Sequence, residues 1–99
     1  MNPTRTLEID LPSPIFNDQK IPVNHITVNP PTVGARRRAS GRLRNGENAE
    51  NFTLFQIDLV AACTGLSAPT VEQLDADLFN EAWGHVVGFL VPADPTTSN

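Results

Sequence analysis

The Pro30-Pro31-Thr32 segment most constrains the fold, because it separates two different hydrophobic patterns. Before it, apolar residues alternate with polar ones, which is typical of β-strands. After it, apolar residues recur every three or four positions, which is typical of amphipathic helices. Proline fixes φ and lacks an amide hydrogen, so neither kind of element continues easily through the pair. The 99 residues therefore predict one α+β domain over residues 1–91, with strands first and helices after them.

The first part of the chain predicts a β-hairpin over residues 4–29. Pro12 and Pro14 are expected to end its first strand, because proline cannot donate a hydrogen bond to a strand ladder. Ile26 and Val28 share one face of the second strand and are candidates for the core. A two-stranded hairpin is marginally stable by itself, so the helices must cover its apolar face.

Four helical segments are predicted after the prolines, at residues 33–44, 49–64, 69–73 and 76–91. Thr32 suits the N-cap of the first, because its hydroxyl can accept a hydrogen bond from a free amide of the first turn. Gly65 suits the left-handed position that follows the second. Residues 92–99 are rich in Pro, Thr and Ser and are expected to be disordered.

Charge is divided sharply along the chain, since all seven basic residues lie at or before Arg44. Residues 1–44 carry a net charge of +4, and residues 45–99 carry −8. Five arginines fall within nine positions: Arg36, Arg37, Arg38, Arg42 and Arg44. Such a cluster could neutralise phosphates of a nucleic acid, and a small nucleic-acid-binding regulator is an alternative function.

The acidic half of the chain disfavours nucleic-acid binding, because it repels a polyanion and can itself pair with the arginines. The cluster also lacks interleaved aromatic residues on which bases could stack. We therefore expect Arg36, Arg37, Arg38 and Arg42 to form an electrostatic surface that complements the acidic half, within one chain or between chains.

Enzyme chemistry finds little support in the sequence. His25 and His85 lie on a predicted strand and an apolar helix, and the simplest role for His85 is packing at a helix interface. Cys63 lies on the apolar face of its helix and is most simply a buried small hydrophobe. The single cysteine cannot form an internal disulfide or a thiolate cluster, and no glycine-rich phosphate loop is present. The sequence predicts no catalytic residue, metal or cofactor.

No membrane segment is predicted either. The longest apolar run covers residues 86–91, far short of the roughly 20 residues of a membrane-spanning helix. Residues 1–14 lack the apolar stretch of a secretory signal.

The last predicted helix has apolar residues on more than one side, although so small a domain offers few elements to cover them. Tryptophan is common at the centre of protein interfaces. We expect a partner-binding surface formed by Phe79, Trp83, Val86, Phe89 and Leu90.

The order of several motifs resembles a known family. They are Ile26-Thr27-Val28-Asn29-Pro30-Pro31-Thr32, then Leu59-Val60-Ala61-Ala62-Cys63-Thr64-Gly65-Leu66, Val71-x-x-Leu74, Asp77 and Val87-x-Phe89-Leu90. Across residues 7–91 the chain is similar to the short tail assembly chaperones of contractile-tailed, Mu-like bacteriophages. It departs from their usual pattern in its arginine-rich first helix, where they commonly carry an acid soon after the Pro-Thr.

The resemblance implies a non-enzymatic assembly factor in the host cytoplasm that is absent from the mature virion. Such proteins bind the tape measure protein, keep it soluble and help recruit tail tube subunits. They tend to form homo-oligomers, and many have a longer form made by a −1 ribosomal frameshift. Gly88-Phe89-Leu90 could be encoded by the slippery sequence GGT TTT TTG. A structural tail or head–tail joining protein is a further alternative.

Overall fold

The computed structural model describes residues 5–90, and it confirms the α+β class. An antiparallel hairpin precedes four α-helices and one 3₁₀ turn. The elements in order are β1 (Leu7–Phe16), β2 (Pro22–Val28), α1 (Val33–Ser40), the 3₁₀ turn (Gly41–Leu43), α2 (Ala49–Thr64), α3 (Ala68–Val71) and α4 (Ala76–Leu90). The predicted disordered tail at 92–99 lies outside the described residues, as do residue 4 of the predicted hairpin and residue 91 of the predicted last helix.

The expectation that Pro12 and Pro14 end the first strand is wrong, because β1 continues to Phe16. The pairing register shifts between Asp10, opposite His25, and Ile15, opposite Val23. Residues 11–14 thus face a single residue of β2, and both prolines lie in this irregular stretch. A bulged stretch tolerates proline because the ladder there does not require each amide to donate a hydrogen bond.

The core face of the hairpin is apolar, as the alternation predicts. Ile9 and Ile26 are a cross-strand pair and are both buried, and Val28 is completely buried beside them. The opposite face carries polar side chains and is exposed to solvent.

The helix ends follow local capping chemistry with two differences from prediction. Thr32 caps α1 by accepting a hydrogen bond from the amide of Ala35, and Gly65 ends α2 with φ 74°. The first predicted helix, 33–44, is instead α1 followed by the 3₁₀ turn, because glycine at position 41 weakens the helix and tighter turns are common at helix ends. The third, predicted at 69–73, is the single turn 68–71 with Ser67 as its cap.

Helix α2 is the centre of the molecule. It packs against α1, the 3₁₀ turn, α3, α4 and β2. Its residues Leu59 and Val60 have no solvent exposure, and Ala82 and Val86 of α4 are equally buried. The end of β2 is joined to α2 by the amide of Asn29, which donates to the carbonyl of Cys63 at 2.8 Å. Within residues 5–90, no helix is long and apolar enough to cross a membrane.

Shortening the side chain of Leu59 tests this arrangement. Leu59 has no solvent exposure, so Leu59→Ala leaves a buried cavity, and we expect a loss of about 2–5 kcal/mol in the free energy of unfolding. Chemical denaturation followed by circular dichroism measures it. The control is Val33→Ala, because Val33 is 85% exposed and its loss should change stability by no more than about 0.5 kcal/mol. Equal effects of the two changes would contradict a core centred on α2.

Candidate partner-binding surface

The five residues proposed on α4 do not form one continuous surface. Val86 is completely buried and belongs to the core. Phe79, Trp83 and Leu90 are half-buried against that core, and Phe89 is 39% exposed. Phe79 and Trp83 lie on the side of α4 that meets α2, whereas Phe89 lies on another side. The accessible part of the predicted surface is therefore smaller than the sequence pattern indicates.

Helix α2 contributes the other half of an apolar surface. A groove of about 230 Å³ runs between α2 and the α3–α4 segment. Its lining residues are Thr53, Ile57, Val71, Glu72, Leu74, Ala76 and Phe79, and we call it the α2–α4 groove. All but Glu72 and Thr53 are apolar, so the groove suits apolar side chains of a partner.

An aromatic cluster of α2 and α4 lies next to the groove residues in the sequence, since Phe52 precedes Thr53 and Trp83 comes one turn after Phe79. The ring of Trp83 stands edge-on to Phe52 and to Phe55, with centroid distances of 6.2 and 5.9 Å. Such T-shaped contacts are the favoured geometry for aromatic pairs. Phe55 is buried, but Phe52 is 45% exposed, so the cluster presents an aromatic edge to solvent.

Phe89 has a different set of neighbours. Its ring packs edge-on against the His85 imidazole, with centroids 5.3 Å apart, and the Arg5 guanidinium lies 5.4 Å from its centroid. The Nε2 of His85 donates to the carbonyl oxygen of Arg5 at 2.8 Å. His85 therefore packs against its own helix and the segment before β1, whereas the sequence predicts packing at a helix interface, and Arg5 covers part of the Phe89 face.

The arginine cluster divides into one paired and several unpaired residues. Arg42 Nε donates to Asp58 Oδ2 on α2 at 2.6 Å, and this hydrogen bond raises the pKa of Arg42. Arg36, Arg37, Arg38 and Arg44 are exposed and form no ion pair within residues 5–90. The predicted pairing with the acidic half is therefore present within the chain only for Arg42.

The structure locates the single cysteine and the acidic and histidine side chains of residues 5–90. Cys63 is 2% exposed, and burial raises the pKa of its thiol to about 11, so the reactive thiolate is scarce at neutral pH. No group of three or more His, Cys, Asp or Glu residues among positions 5–90 is arranged to hold a metal ion.

A histidine bridges two carboxylates on the exposed face of the hairpin. His25 Nδ1 lies 2.6 Å from Asp10 Oδ1, and its Nε2 lies 2.5 Å from Glu8 Oε1. Thr27 donates its hydroxyl to the same oxygen of Glu8. The hydrogen bonds to Asp10 and Glu8 raise the pKa of His25, and those from Thr27 and His25 lower the pKa of Glu8. The His25 ring therefore links β2 to two carboxylates of β1, an arrangement that favours its protonated form and that we call the His25 clamp.

Sequence reasoning missed the α2 side of the binding surface. Phe52 and Ile57 belong to the apolar stripe that the sequence predicts for α2, but the stripe does not show which of its residues stay accessible, and Thr53 is not apolar. Two signals were present: the stripe of α2 is wider than one face needs, and Phe52 comes in the first turn, where a helix end is easily left uncovered.

The His25 clamp predicts a pH dependence. Below about pH 6.5 the raised pKa of His25 contributes its full stabilisation, which is lost as the pH rises through the raised value. The lowered pKa of Glu8 acts oppositely, since its contribution is present above about pH 4.5 and is lost on acidification. We expect the clamp to stabilise the hairpin most between these two values.

The clamp can be tested by NMR titration of the His25 ring. Asp10→Asn should lower the pKa of His25, because the hydrogen bond to Asp10 is the largest cause of its rise. The matched control is Asp18→Asn, in the turn of the same hairpin, where the carboxylate accepts from Ser67 instead. An equal fall in both variants, or none in Asp10→Asn, would refute the clamp.

The chain was compared with models of protein families, with curated proteins and with solved structures. None of the three comparisons found a match for it.

Proposed function

We propose that this chain is a phage tail assembly chaperone that binds the tape measure protein, keeps it soluble and helps recruit tail tube subunits. One observation carries the proposal: α2 and α4 together present an apolar surface, made of the α2–α4 groove and the exposed edge of Phe52 and Trp83. In so small a chain, a groove flanked by an exposed aromatic ring is typical of a surface for another protein.

The physical match is with a long, apolar, helix-rich client. A tape measure protein exposes apolar helix faces until tube subunits enclose it, and a groove between two helices can cover such a face temporarily. The carboxylates around the groove keep the complex charged and therefore soluble. The protein acts in the host cytoplasm, without catalysis, and is not a component of the mature virion.

The proposal includes two further partners. The chain associates with copies of itself, and with a longer form made by frameshifting at Gly88-Phe89-Leu90. A frameshift at this place would retain α2 and most of α4. The groove would therefore be common to both forms, and the longer form could add a second binding activity for the tail tube protein.

Co-expression with the tape measure protein tests the function. Soluble tape measure should depend on the chaperone, and Phe52→Ser should weaken the purified complex by about tenfold, as expected for an interface aromatic. Val33→Ser is the matched control, because Val33 lies on α1 and is the most exposed large apolar residue between positions 5 and 90. A soluble tape measure yield that is the same with and without the protein would reject the function.

Four arginines that form no ion pair within residues 5–90 favour a second candidate, binding to nucleic acid. They are Arg36, Arg37, Arg38 and Arg44. They lie within nine positions, as a phosphate-binding cluster does. Against it, the rest of the chain from residue 45 onward is acidic.

A salt titration of DNA binding separates the two functions. For the chaperone we expect no binding to duplex DNA even at low salt. A binding constant that falls with salt at a logarithmic slope of about −3.6, as four phosphate contacts would give, would favour the regulator instead. Triple replacement of Arg36, Arg37 and Arg38 by Gln would then abolish most of the binding, whereas under our proposal it changes nothing in this assay.

A further inference from the structure

The helices that form the α2–α4 groove carry ionisable charge of only one sign in their own sequence, and the nearby cations Arg42 and Arg5 contact Asp58 and Phe89, which do not line the groove. Every Lys and Arg of the chain precedes residue 45, so α2, α3 and α4 carry none. Glu72 is part of the groove lining and is exposed. Glu50 is exposed and lies three residues before Thr53 of the lining, on the same side of α2. No ion pair satisfies either carboxylate within residues 5–90.

We propose that the α2–α4 groove accepts a helix of another protein whose apolar stripe is flanked by Lys or Arg side chains. The inference rests on the proposed function, because it describes the partner of the same surface. It adds a charge requirement that the apolar lining alone does not impose.

The dimensions of the groove indicate a helix as the occupant. A volume of about 230 Å³ is below the usual range of small-molecule pockets, roughly 300–1,000 Å³. It can take a few aliphatic side chains projecting from one face of a partner. An amphipathic helix supplies such side chains at i, i+3 and i+4, and the edge of Phe52 and Trp83 continues the contact along its axis.

The carboxylates set the sign of the partner charge. An acidic or neutral helix would bury Glu72 beside apolar groups without a compensating partner, which costs free energy. A helix with Lys or Arg at its flanks would pair with Glu72 and Glu50 and would be drawn in by the negative field of the acidic half.

The basic helix of a second copy does not meet these requirements. The apolar side chains of α1 that face the fold, Ala35 and Ala39, are buried within their own subunit. Helix α1 therefore offers arginines but no free apolar stripe, and we assign the groove to a different protein.

Two synthetic helices test the charge requirement. Both carry the same leucine stripe, flanked by Lys in one peptide and by Glu in the other. Trp83 is the only tryptophan of the chain and lies at the surface concerned, so its fluorescence reports binding to the intact protein. We expect the Lys peptide to bind at least about tenfold more tightly than the Glu peptide, and this difference to shrink as salt is added.

Charge variants locate the effect at the groove. Glu72→Lys should weaken the Lys peptide by about fivefold or more, and the milder Glu72→Gln should weaken it less. Glu81→Lys is the matched control, because Glu81 is exposed and lies about 140° around α4 from Ala76 of the lining. Circular dichroism verifies that each variant is folded.

The inference is overturned if the two peptides bind equally, if the Glu peptide binds better, or if neither binds. It is also overturned if Glu72→Lys and Glu81→Lys weaken binding alike, or if self-association of the chain excludes the Lys peptide.

Failure of the proposed chaperone function would give different results. If the Lys peptide binds but tape measure solubility is independent of the protein, the groove chemistry stands and the chaperone function falls. If neither peptide binds but the tape measure is still solubilised, the opposite holds.

Discussion

Burial of α2 is the constraint on which the rest of the structure depends. The hairpin has only two strands, α1 is short and rich in arginine, and α3 is a single turn, so none of them is stable alone. Each is stabilised by contact with other elements, and α2 contacts almost all of them. Leu59 and Val60 are completely buried where these contacts meet. The fold therefore consists of elements that are unstable in isolation and that pack around one long, central helix.

The small number of secondary-structure elements also explains the candidate binding surface. A chain with one central helix lacks the elements to enclose both α2 and α4 on every side. The residues left over are the lining of the α2–α4 groove and the edge of the aromatic cluster. Apolar residues of the two helices are thus divided between the core and the surface: Val86 is completely buried, whereas Phe52 is 45% exposed. The surface that suits a partner is the part of the helix pair that the hairpin and α1 do not reach.

The positive and negative parts of the chain form few ion pairs with each other within residues 5–90. The Arg42–Asp58 pair joins the 3₁₀ turn to α2, and His25 joins two carboxylates that lie in the same hairpin. Arg36, Arg37 and Arg38 stay exposed on α1 and Arg44 stays exposed after the 3₁₀ turn, while the acids of residues 72–81 stay exposed after α3 and on the first half of α4. The molecule therefore keeps two surfaces of opposite sign. The proposed preference of the groove for a basic partner follows from this arrangement.

Local sequence was sufficient for those features that depend on neighbours along the chain. The strand and helix periodicities gave the α+β class and the bounds of α2, Thr32 and Gly65 marked helix ends, and the place of Cys63 in its helix predicted its burial.

Tertiary structure decided what depends on distant partners. β1 passes through Pro12 and Pro14 because the shift in pairing with β2 absorbs them. Phe52 lies at the surface and Val86 lies in the core. The periodicity of the sequence shows that both are on apolar helix faces, but only the packing of the elements determines which face is covered. Within residues 5–90, Arg42 is the one arginine of its cluster that pairs with a carboxylate, because the 3₁₀ turn that carries it packs against α2 beside Asp58. A sequence pattern shows which side chains need burial or pairing, but the free energy that assigns partners comes from elements that are far apart in the chain.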